Sequence, residues 1–182
     1  MIASALLEDV PTDIRWVLVV VAICLMIGET YLFSRLGRRI RASGGPGYDA
    51  FQRAGSAAAV ARAREAWGPP GLAAARKAWL LDLVYPVTYA LLGILLASLG
   101  ATYARADDSD WLASAMAAVA WLSIAAGATD LLIENPAVAV GLWSSPSDTA
   151  ARIAKIAGRL KLTLLVAVLL ALQVALLALL AM

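Results

Sequence analysis

The stretch LTLLVAVLLALQVALLALL, Leu162 to Leu180, runs for nineteen residues without a charge. An α-helix rises about 1.5 Å per residue, so about twenty apolar residues cross roughly 30 Å of hydrocarbon. Leu, Ala and Val fill the run almost completely, and Thr163 and Gln173 are its only polar side chains. It reads as a membrane span with most of its surface turned to lipid, a scaffold rather than a site.

Three more runs meet the same length requirement, which gives spans at about 16–34, 79–103, 111–132 and 161–180. The 182 residues are 62% hydrophobic and 15% charged, far more apolar than a soluble domain. Only helices or closed barrels satisfy the backbone in lipid, and no alternating strand pattern is present. The expectation is an all-α integral membrane protein, an antiparallel four-transmembrane-helix bundle forming one domain over 1–182.

Basic residues set the orientation. Residues 35–77 carry nine Lys or Arg and residues 143–161 carry four, whereas the other connections hold only Arg15 and Arg105 beside six acids. That bias places both loops in the cytoplasm and both termini outside, in a multi-pass plasma membrane. High Ala, Leu, Arg and Gly content suggests a bacterial inner membrane. The region before the first span is acidic and the span is long, so it does not read as a cleavable signal. Cys24, the single cysteine, forms no disulfide framework and reads as a small buried apolar side chain.

Between the first two spans, Gly44, Gly45, Pro46 and Gly47 break one helix, and Gly68, Pro69, Pro70 and Gly71 break the next. The segment between them, about 49–67, is expected as a short cytoplasmic interfacial helix with Tyr48, Phe51 and Trp67 on the leaflet and Arg53, Arg62 and Arg64 toward its anionic surface. A solvated connector is the alternative. Trp16, Trp79, Trp111 and Trp143 each flank a span and read as interfacial anchors.

Charges inside spans mark sites by default. Asp82, Tyr85, Tyr89 and Gly93 are spaced by three, four and four, and Ser123, Gly127, Asp130 and Glu134 by four, three and four, so each set makes a stripe on one helix face. Counted along alternating helices, Glu29, Asp82, Asp130, Glu134 and Lys161 fall within roughly 10 Å of the cytoplasmic boundary. The candidate catalytic residues are Asp82, Asp130, Glu134, Glu29 and Tyr85. Tyr89, Asn135, Lys161 and Arg159 are candidate substrate contacts, although Asn135 before Pro136 also fits a turn. The competing reading treats the acids as snorkelling groups neutralised by Lys161.

The chain has no histidine, which excludes a Ser-His-Asp triad, His proton relays and His-based metal sites, so neither zinc nor haem is expected. Two chemistries fit the remaining groups. Carboxylates act as acid and base on an isoprenoid, sterol or phospholipid-type substrate, or they hold Mg²⁺ while Lys161 or Arg159 binds a phosphate. An enzyme of this kind would be a lipid isomerase or cyclase, or a phosphate-group transferase or hydrolase. The aspartate runs of CDP-alcohol phosphotransferases and UbiA-like prenyltransferases, DxxDG and NxxxDxxxD, are missing here. The alternatives are a non-catalytic assembly subunit whose polar layer locks helices, and a small proton-linked carrier. The expected partner is a membrane lipid rather than nucleic acid, and the fold allows an oligomer.

Overall fold

The computed structural model describes residues 7 and 9–180, and the described residues are all-helical, with no strand among them. Seven α-helices follow in order: α1 Thr12–Ala42, α2 Tyr48–Gln52, α3 Ala57–Asp82, α4 Tyr85–Ala106, α5 Asp110–Thr129, α6 Asn135–Trp143 and α7 Asp148–Leu180. A π-helical turn, Asp130–Glu134, joins α5 to α6. Among the described residues four stretches are long and apolar enough to cross a membrane: Thr12–Ala42, Ala57–Ala106, Asp110–Trp143 and Asp148–Ala178. The chain is a multi-pass, four-span membrane protein.

Packing divides the chain into two compact units, the first made of residues 1–26, 87–127 and 162–182 and the second of 27–86 and 128–161. In the first unit, small residues let helices approach closely, the usual device where lipid offers no hydrophobic drive to helix pairing. Ala97, Ala101 and Ala104 of α4 pack with Leu112, Met116 and Val119 of α5. A Cβ added at Gly93 would come within 2.7 Å of the Ser123 Cβ, and one at Gly100 within 2.7 Å of the Met116 sulfur. Arg15 is buried here, donating to Ser98 Oγ at 2.8 Å and Thr102 Oγ1 at 2.9 Å.

The second unit has the larger aromatic core, built on Ile40, Tyr48, Phe51, Trp67 and Leu142. Gly68 takes φ +55 and ψ −171 and kinks α3, because Pro69 disfavours a helical residue before it and only glycine adopts that angle freely. Pro69 and Pro70 then sit in the first turn of the next helical segment, where their missing N–H groups matter least. The Arg64 and Arg76 guanidiniums donate to the carbonyls of Gly141, Ser144 and Leu142 at the end of α6, satisfying groups that a helix terminus leaves without partners.

Three sequence expectations change. The segment 49–67 is divided: its first residues lie in the short helix α2, and the rest opens α3. Phe51 and Trp67, expected against the leaflet, pack together at 4.9 Å between ring centres inside the core. The Trp67 indole donates to the Pro46 carbonyl at 2.7 Å, so this connection folds onto its own unit. Cys24 is exposed rather than buried, because α1 turns most of its apolar side chains outward.

Candidate functional site

The site is built around the π-helical turn, and Pro136 accounts for that turn. Within an α-helix a proline removes the bond to the carbonyl four residues back, here Leu132, and its ring crowds that oxygen. Widening the turn relieves the clash, and the Asn135 N–H reaches back five residues to the Asp130 carbonyl. The chain therefore stays helical through Asn135 and does not turn there.

The wider turn stacks Asn135 over Asp130. The Asn135 Nδ2 donates to Asp130 Oδ1 at 3.2 Å and to the main-chain carbonyl of Asp82 at 3.0 Å. That carbonyl belongs to the last turn of α3, where helix carbonyls need outside donors. Trp79 of α3 returns the contact, its indole donating to the Asn135 carbonyl at 2.9 Å. Asn135 is completely buried, and its Oδ1 has no hydrogen-bond partner among the described residues.

Lys161 of α7 completes the cluster, its Nζ 3.0 Å from Asp130 Oδ2 and 2.7 Å from Glu134 Oε2. Gly158 lies nearly one turn earlier on α7, and a Cβ there would come within 2.9 Å of Glu134 Oε1. Glycine thus lets α7 approach the acid. Among the described residues the Asp82 carboxylate makes no ion pair, and it accepts from Gln52 Nε2 at 2.7 Å and from the Tyr48 hydroxyl at 3.5 Å. Burial pushes the Tyr48 phenol well above the ordinary tyrosine value, and the Asp82 and Glu134 carboxylates push it the same way, so it serves as a proton-bearing donor.

Asp82, Asp130 and Glu134 are all buried, and the Lys161 ammonium bridges the last two. Fully ionised, they would crowd like charges in a medium that penalises each of them. Among the described residues, no three acids or other metal-ligating side chains converge on a metal position. The Lys161 ammonium lies between Asp130 and Glu134, two of the groups expected to hold Mg²⁺, and forms an ion triad with them.

The sequence-predicted residues divide accordingly. Asp82, Asp130, Glu134, Asn135 and Lys161 come together. Glu29 is buried on α1 in the same unit, and Tyr85 is half-buried with its ring edge-on to Phe33 at 5.7 Å. Tyr89 lies in the first unit, where its hydroxyl donates to the Ala126 carbonyl at 3.1 Å. Arg159 is exposed on α7.

Gln52, Tyr48 and Gly158 were not singled out as site residues, and Trp79 was read as an anchor. Trp79 instead holds Asn135 and packs edge-on against Trp143 at 4.8 Å. A Trp three residues before an intramembrane Asp carries a weak signal of such a role. Gln52 carries none, since only folding of the 43–56 connection brings it to Asp82. No family model, curated protein or solved structure matches this chain.

Proposed function

We propose that the protein binds and transforms a lipid-like amphiphile, of isoprenoid, sterol or phospholipid type, at the Asp82, Asp130 and Glu134 cluster, using these carboxyl groups as acid and base. The observation that carries this reading is the shortfall of positive charge. Among the described residues the buried Asp82 makes no ion pair while Lys161 bridges Asp130 and Glu134, and the Asn135 Oδ1 has no hydrogen-bond partner. A ligand that brings a hydrogen-bond donor or an exchangeable proton completes such a cluster, whereas a purely structural layer is best served by paired charges. Purification of the protein with Asp82→Asn, Asp130→Asn or Glu134→Gln, followed by mass analysis of bound lipid, tests this. Loss of the copurifying lipid is the expected result.

The orientation belongs to the same proposal. Thirteen of the fifteen Lys and Arg residues fall in the second unit, which supports placing that unit at the cytoplasmic leaflet of a bacterial inner membrane, with both termini outside. In a Cys24→Ser background, Ser56→Cys should resist an impermeant thiol reagent in intact cells and react after lysis. Labelling in intact cells would reverse the orientation.

A second reading, a non-catalytic assembly subunit, draws on the double bridge of Lys161 at 2.7 and 3.0 Å, which ties α7 to the π turn as a helix lock would. Under it the same substitutions lower the melting temperature and leave bound lipid unchanged.

A further inference from the structure

We propose a second lipid site, separate from the acid cluster: the groove between the last part of α1 and the second segment of α3 holds an anionic phospholipid, its phosphate on Arg35, Arg39 and Lys77. Two adjoining cavities of about 390 and 310 Å³ run along these helices and share Arg39 and Lys77 in their walls. Arg35 and Arg39 are one turn apart on α1, and Lys77 faces them from α3 across the second cavity. Among the described residues none of the three makes a hydrogen bond or an ion pair, unlike Arg64, Arg76 and Lys161, which are committed to carbonyls or carboxylates. Neither cavity has an acid in its lining.

The groove also has a direction. Leu32, Leu36 and Leu81 line one end, and Ser43 and Pro70 line the other, with the cations between. A phospholipid matches this order: acyl chains lie along the leucines and the phosphate reaches the guanidiniums, which bind its oxygens in pairs. Basic grooves between spans are the known form of headgroup sites, and a freely soluble phosphate has no use for the apolar end.

The test uses the full chain in a neutral detergent, titrated with dioleoyl phosphatidylglycerol, dioleoyl phosphatidylcholine or inorganic phosphate and read by native mass spectrometry. The wild type should take up the glycerol lipid in preference to the choline lipid. Each lost cation should weaken that binding about fivefold, so the triple variant Arg35→Gln, Arg39→Gln, Lys77→Gln loses about a hundredfold. Removing three exposed cations outside the groove, Arg38→Gln, Arg62→Gln and Arg152→Gln, should change binding less than about twofold. If the groove triple variant fails to fold, Arg39→Gln alone supplies the measurement, with the single fivefold loss expected. Equal losses in both triple variants, no preference between the two lipids, or full displacement of the lipid by inorganic phosphate would each overturn the proposal.

Discussion

Asn135 donates to Asp130 at 3.2 Å across a turn that places residues five apart in register, and the same nitrogen caps the Asp82 carbonyl at 3.0 Å. Its two donors both face acceptors. Asn135→Ala should therefore lower stability by about 1–3 kcal/mol through unsatisfied buried acceptors. Asn135→Asp should be worse than Asn135→Ala, because it replaces the donor with a fourth acid against Asp130. Thermal unfolding in detergent ranks the two, and an Asp variant as stable as the wild type would refute the assigned bonds.

Lys161 pairs with both Asp130 and Glu134. Lys161→Met should destabilise the protein by about 3 kcal/mol, since removing one partner of a buried ion pair leaves uncompensated charge. Adding Glu134→Gln to Lys161→Met should recover part of that loss. A double mutant no more stable than the single would show that Lys161 acts by packing its stem rather than by its charge.

The π turn shows why only part of the site was legible in the sequence. The apolar runs and the breaks at Gly44–Gly47 and Gly68–Gly71 follow from span length and backbone sterics, which act locally, so the helical architecture could be read off the chain. The two stripes, one carrying Asp82 and the other Asp130 and Glu134, were visible as helical spacing with charges that lipid penalises. What periodicity could not supply was the change of period itself. Counting in steps of three and four pairs Asp130 with Glu134 and leaves Asn135 as a turn residue, whereas Pro136 widens the helix and turns Asn135 into the link between α3 and the acids. Gln52 and Tyr48 were hidden for another reason: their places depend on the fold of a connection held by Phe51, Trp67 and the Pro46 carbonyl.

Gly93 sits against Ser123 with no room for a methyl group. Gly93→Ala should cost about 1–3 kcal/mol by overpacking, and Ser123→Gly should restore most of it by vacating the contested space. Melting curves of the two single variants and the double variant decide this. Gly93→Ala without any loss would mean that α4 and α5 are farther apart at this level than described.

The raised Tyr48 phenol has a pH signature. A group whose folded value lies above its unfolded value contributes stability that is complete below about pH 10, the ordinary tyrosine value, and is lost as pH rises toward the folded value. The wild type should therefore lose melting temperature above pH 10 more steeply than Tyr48→Phe. The difference between the two isolates Tyr48 from lysine titration, which both share. Parallel curves would place the phenol in water.

The central claim is that the acid cluster serves a ligand rather than the fold, and Asp82 tests it most directly because among the described residues it makes no ion pair and its two side-chain donors, Gln52 and Tyr48, can serve an amide as well. The measurement is melting temperature and bound lipid, taken together on the same preparation of Asp82→Asn in an Arg35→Gln, Arg39→Gln, Lys77→Gln background, so that lipid in the groove does not enter the comparison. The account predicts an unchanged or raised melting temperature, since one of three crowded acids is removed, together with loss of the copurifying lipid. A lowered melting temperature with the lipid retained would contradict it and leave the cluster as a helix lock.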